Sequence, residues 1–125
     1  MNLMEPFNVQ DKMRIIQEIV PGKQVTLVHI IANPDEVLYQ KLGLDLVVDY
    51  KRSAIGIVTV TPSEAAIIAA DVAMKTSGIE IGFVDRVSGT LIVTGTVSEV
   101  EAATQAITSY LSEKLKFTVC EVSRT

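Results

Sequence analysis

The chain has 125 residues, a formal charge of −4, and 48% hydrophobic against 21% charged residues. That is enough for one core that buries roughly two thirds of the unfolded surface, and too apolar for disorder. No uninterrupted apolar run approaches the roughly 20 residues that cross a bilayer, so a soluble protein without a membrane partner is expected. One cysteine, Cys120, and one histidine, His29, leave no intramolecular disulfide, metal cluster or redox cofactor to expect. Basic residues are scattered, with only Lys51 and Arg52 adjacent, which argues against a nucleic-acid footprint. Residues Met1 to Gln10 include Glu5 and lack a basic start followed by an apolar block, so no export signal is expected and the default location is the cytoplasm.

In chain order, the first strand-like run is RIIQEIV, from Arg14 to Val20. Neither of its faces is clean. Met13, Ile15 and Ile19 share one parity with Gln17, while Ile16 and Val20 share the other with Arg14 and Glu18, so the strand cannot hide a face on its own. Pro21-Gly22 breaks the run, and VTLVHII, from Val25 to Ile31, reads as the next strand. Asn33 as cap, Pro34 at the first helical position and Glu36 at the third predict a helix over Pro34–Leu42, with Gly43 as its stop. LDLVVDYK, from Leu44 to Lys51, reads either as a short extended piece or as a loop with its apolar side tucked in.

AIGIVTV, from Ala54 to Val60, is a strand, and Thr61-Pro62-Ser63-Glu64 opens a helix that Gly78 ends, giving Pro62–Ser77. Only Glu64, Asp71 and Lys75 interrupt its apolar surface. Such a helix lies in a core or buries its second face on another subunit, and in so small a chain both are expected. IEIGFVDR and TLIVTG form an antiparallel hairpin about Val87-Ser88-Gly89. The box Ser98-Glu99-Val100-Glu101, followed by Val100, Ala103, Ile107, Tyr110 and Leu111, predicts a half-buried helix from Glu99 to about Lys114. FTVCEV, from Phe117 to Val122, is the last strand candidate. The expected fold is an α+β sandwich of ferredoxin-like kind, an antiparallel-rich sheet with helices on one face.

Chemistry-bearing residues are few. His29 lies inside an apolar strand and reads as a hydrogen-bonded structural histidine, and Cys120 as a small buried hydrophobe. Asp85 with Arg86 could supply a general acid and its charge partner, but the two are adjacent, so on a strand they point to opposite faces and a joint role is disfavoured. There is no GxGxxG and no Walker loop. An enzyme is not expected.

The segment AIGIVTVTPSEAAIIAADVAMKTSGIEIGFVDRVSGTLIVTGTVSEVEAATQAI resembles the bacterial microcompartment (BMC) shell domain: strand, Ala-rich helix ending in a lysine, hairpin, helix. That domain usually closes with a strand and helix similar to VTLVHIIANPDEVL. Here this piece comes first, so the order resembles the circularly permuted BMC subfamily, the ethanolamine-utilisation S type and propanediol-utilisation U type. The resemblance runs from Asp11 to about Pro34 and from Ala54 to Thr125, and divides the chain into residues 1–22, an extension with the barrel strand, and 23–125, the permuted domain.

The resemblance implies a structural role as a homo-hexameric ring. Such rings tile with other shell proteins around encapsulated cytoplasmic enzymes. It implies that Arg14, Ile15, Ile16, Gln17, Glu18, Ile19 and Val20 join their symmetry mates in a small β-barrel over the ring's centre, which abolishes an exposed edge. By the same resemblance Lys75 lies at the contact between rings, and Val87, Ser88, Gly89 and Thr90 form the loop that faces the pore. The linker LDLVVDYKRS is longer than in the two named types, which leaves the enclosed pathway open between ethanolamine, propanediol and choline. Two other classes stay open: an ACT-like domain binding a small molecule at a subunit interface, and an acylphosphatase-like enzyme that would need Arg86 and Asn33 together.

Overall fold

A computed structural model describes residues 22–44, 54–76 and 78–125. The predicted strand Arg14–Val20 and all but Leu44 of the LDLVVDYK run lie outside them. The described elements follow the order β1 (Gln24–Ile31), α1 (Glu36–Leu42), β2 (Ala54–Thr61), α2 (Ala65–Thr76), β3 (Glu80–Asp85), β4 (Thr90–Gly95), α3 (Val97–Leu115), β5 (Thr118–Val119) and β6 (Ser123–Arg124). The strands form one sheet in the order β3-β4-β2-β1-β5, with β6 also on β1. The β1–β2, β2–β4 and β3–β4 pairs are antiparallel, whereas β5 and β6 run parallel to β1.

The sheet is therefore mixed, and Val25–Ile31 rather than Phe117–Val122 supplies its inner strand. The Phe117–Val122 run is not one strand. Only Thr118–Val119 and, further on, Ser123–Arg124 meet β1. Both contacts share one register, so the segment bows off β1 opposite Thr26–Val28, beside the irregularity that β1 carries against β2, and returns without slipping.

Helices lie on both faces of the sheet, not on one. On the first face Val28, Ile30, Val58, Leu91 and Val93 pack with the alanines of α2 (Ala66, Ala69, Ala73) and with Val100, Ala103, Ile107 and Leu111 of α3. Gly56 lets α3 come close: a Cβ there would stand 2.8 Å from Val100 Cγ1 and 2.9 Å from Val93 Cγ2. On the second face Tyr39 of α1, with Leu44, covers Ile55, and Ile31, Leu38, Ile57 and Ile92 pack around them. The reason is in β2, whose two parities are both apolar: Ala54, Val58 and Val60 serve one face, Ile55 and Ile57 the other. A strand of that kind needs cover on each side.

The helix starts also differ from expectation. Asp35, not Asn33, caps α1, its side chain accepting from Val37 N–H, and Gly43 ends the helix in the left-handed region as expected. The carboxylate of Asp35 satisfies a first-turn donor and adds charge at the positive end of the helix. Residues 62–64 enter α2 through three short turns, Ala65 N–H to Pro62 O, Ala66 N–H to Ser63 O and Ile67 N–H to Glu64 O, so the regular helix begins at Ala65. The box of α3 is Thr96 with Glu99, two residues earlier than Ser98 with Glu101. Among the described residues no helix is long and apolar enough to cross a membrane.

Candidate functional site

Lys75 lies in the last turn of α2, where a cation is favourable at the negative helix end. Its Nζ is 2.8 Å from Asp71 Oδ2, one turn back, and both side chains are largely exposed. The hydrogen bond to Asp71, and then that carboxylate's charge, raises the Lys75 pKa, so the ammonium is fixed at neutral pH. Around the pair lies a shallow groove of about 270 Å³ between α2 and α3, lined by Ile68, Asp71, Val72, Lys75, Thr76 and Tyr110. Beside it α2 leaves Ile67, Ile68 and Met74 at 53%, 40% and 62% exposure. The alanine face is thus spent on the core and the large apolar side chains point outward. That division answers the expectation of an all-round apolar helix: one face is core, the other is open in the single chain.

The predicted pore-facing residues are held as a rigid turn. Asp85 Oδ1 accepts from Val87 N–H at 2.9 Å, Gly89 N–H donates to Asp85 O and Val60 N–H to Gly89 O, each at 2.9 Å. Ser88 Oγ donates to Thr90 Oγ1 at 3.0 Å. Gly89 has φ +76, and a Cβ there would collide with the Val60 carbonyl oxygen, so this position requires glycine. Val87 is 81% exposed at the tip. The Val87 N–H, and then the Ser88 hydroxyl, hold the Asp85 carboxyl below its ordinary pKa. Asp85 is thus the anchor of the turn, a role that sequence reasoning missed by treating it only as a possible acid; its signal was an aspartate two residues before an exposed turn position. The six residues of β3 separate the loop from the end of α2, roughly 20 Å of strand at about 3.3 Å per residue, so Lys75 and the loop are distinct sites.

His29 is hydrogen-bonded, as expected: its ring nitrogens meet Ser123 Oγ at 2.6 Å and Thr125 Oγ1 at 2.9 Å. Cys120 is half-buried against the core, less enclosed than expected because it sits where the chain bows off β1. No group of three or more metal-ligating side chains occurs among the described residues.

One helix, α2, thus buries its alanines in the core and leaves Ile67, Ile68 and Met74 open, a face of the kind that mediates association. The family model of the BMC domain matches residues 54–122. The chain is 55% identical over 112 residues, 90% of its length and 93% of the relative's, to the bacterial microcompartment shell protein PduU of Salmonella typhimurium. It is 51% identical over 114 residues to the shell protein EutS of the same organism, covering 91% of this chain and 98% of that one. Its fold matches the solved structure described as a CutR flat hexamer with a TM-score of 0.77 and 42% identity, covering 85% of this chain and 94% of that one. The chain belongs to the BMC-domain family of bacterial microcompartment shell proteins.

Proposed function

We propose that the protein is a structural tile of a bacterial microcompartment shell in the cytoplasm, a homo-hexameric ring that joins other shell proteins around encapsulated enzymes and catalyses nothing itself. The observation that carries this reading is the outward Ile67, Ile68 and Met74 of α2, together with a fold shared with a relative described as a flat hexamer. Contiguous exposed apolar side chains mark association surfaces. Lys75 is read as the ring-to-ring contact, its ammonium oriented by Asp71. The turn at Val87, Ser88, Gly89 and Thr90 faces the ring centre.

The finer reading follows from chain order. β1 precedes the residues matched by the family model, yet lies beside β2 within the sheet, which supports a circularly permuted domain over 23–125. The preceding residues 1–22 then contribute the run Arg14–Val20 to a β-barrel over the pore, a placement that gives a partner to both of its mixed faces. Light-scattering mass with negative-stain imaging tests the reading. A mass of six chains and ring-shaped particles or sheets supports it; a monomer or dimer at all concentrations would overturn it. Removing residues 1–20 is expected to leave rings with an open centre.

A further inference from the structure

The outer edge of β1 is closed by a segment whose fastening is almost wholly polar. Residues 121–125 are all exposed, so apolar burial holds them little. They are held by backbone bonds from Thr125 N–H to Ile30 O and from Ala32 N–H to Thr125 O, each 2.9 Å, and by an exposed ion pair from Arg124 Nη2 to Glu101 Oε2 at 2.7 Å. The remaining tie is His29. Residues two apart on a strand share a face, so Ser123 and Thr125 present hydroxyls to the two nitrogens of one imidazole. Ser123 Oγ also donates to Val28 O at 3.3 Å, which uses its one proton. The serine therefore accepts from Nδ1–H, and Thr125 Oγ1 meets Nε2 on the other side of the ring. Two directed bonds meet the ring, and the serine adds a third to the β1 backbone.

We propose that Ser123–Thr125 is a detachable strap with His29 as its clasp, and that the edge of β1 bared when it lifts is taken by the same segment of a second copy of this chain. Segments held by exposed hydrogen bonds with few apolar contacts open first, and a bare edge recruits another strand. The occupant follows from complementarity. His29 is matched by two hydroxyls at alternate positions and Glu101 by an arginine between them, and Ser-Arg-Thr occurs once in the sequence, at 123–125. Exchange between copies remakes each bond, the condition under which strand swapping has low cost. This goes beyond the ring assignment and does not depend on it.

Amide hydrogen exchange on the full chain tests the clasp by comparison with Ser123→Ala/Thr125→Ala, which removes both hydroxyls and leaves the core untouched. Exchange at Ala32 and Thr125 is expected to quicken at least tenfold, with Leu91 and Ile107 unchanged; equal rates in the two proteins overturn the clasp. The second copy is tested with Ile30→Cys/Arg124→Cys at register partners, in a Cys120→Ser background, oxidised and run on a denaturing gel. Cross-links within one chain are expected in dilute protein, and disulfide-linked dimers several-fold more abundant when the same His29-bearing protein is oxidised at high concentration. Cross-links that stay within one chain overturn the exchange. Should the cysteine pair not fold, the parent chain answers alone: protection at Ala32 that rises with protein concentration while Leu91 and Ile107 stay constant supports a second copy, and protection independent of concentration refutes it.

Discussion

The backbone N–H of Val60 donates to the carbonyl oxygen of Gly89 at 2.9 Å, so the hairpin turn is tied to β2, an interior strand of the sheet. Gly89 must hold φ +76 to present that carbonyl, with no room for a Cβ. Gly89→Ala is therefore expected to cost about 1–3 kcal/mol, read as a lower melting temperature at fixed protomer concentration. Ser88→Ala loses an exposed hydroxyl that meets Thr90 and Asp85 and, being at the surface, is expected to cost no more than about 0.5–1 kcal/mol. Equal losses in the two variants would refute the glycine requirement.

Asp85 gives the same turn a pH dependence. Folding holds its carboxyl below the ordinary value of about 3.9, chiefly through the Val87 N–H. Its contribution is thus fully present above about pH 3.9 and is lost as pH falls through the lower folded-state value. The Val87 amide resonance should move with pH across that acid window. In Asp85→Asn the acceptor oxygen remains but the titration does not, so the amide should stay flat over the same range. A moving Val87 signal in the variant would mean that another group drives it.

At the head of α3, Glu99 N–H donates to Thr96 Oγ1 at 3.2 Å and Thr96 N–H to Glu99 Oε1 at 2.9 Å. Thr96→Ala should cost about 1 kcal/mol, whereas Ser98→Ala, one turn position inside the helix, should be within about 0.5 kcal/mol of neutral. Thermal melts of the pair separate the two registers, and the reverse order would restore the box at Ser98 and Glu101.

That competition shows where reading the chain ran out. Helix existence was legible because apolar spacing and stop residues such as Gly43 agree over many positions. Helix starts were not, since Thr96, Ser98, Asn33 and Asp35 all have capping side chains and only tertiary fit selects among them. The hairpin was legible from alternating runs around Gly89, while the turn's dependence on Asp85 needed the geometry. The side of the sheet that α1 covers was hidden, because a seven-residue helix with one buried tyrosine carries little periodicity. The last strand was misread for a related reason: FTVCEV has strand composition throughout, but residues 120–122 leave the ladder. Of the proposed site, Lys75 and the loop are named by family resemblance alone, and the structure adds their hydrogen-bond partners, Asp71 and Asp85.

Tyr39 tests the two-sided sheet. It is 2% exposed and covers Ile55 from the face opposite α2 and α3. Tyr39→Ala should cost about 3–5 kcal/mol, as for other large aromatic truncations. The damage should be local: amide exchange should accelerate over Glu36–Leu42 before it does over α3. Uniform acceleration would mean that α1 unfolds only with the whole domain.

Lys75→Ala separates the fold from the assembly. The ammonium and Asp71 are both largely exposed and one turn apart, and such pairs contribute little to stability because water screens them and side-chain entropy opposes them. The melting temperature should therefore be unchanged within error. A lysine that contacts a second ring acts where its stem and charge are removed from water, and there the same substitution removes both packing and hydrogen bonds. The expected result is six-chain rings by light scattering that no longer form sheets by negative stain, while Asp71→Asn, which frees the ammonium without deleting it, keeps part of the tiling. Loss of the rings themselves would place Lys75 inside the ring interface, and sheets indistinguishable from the parent would remove it from assembly altogether.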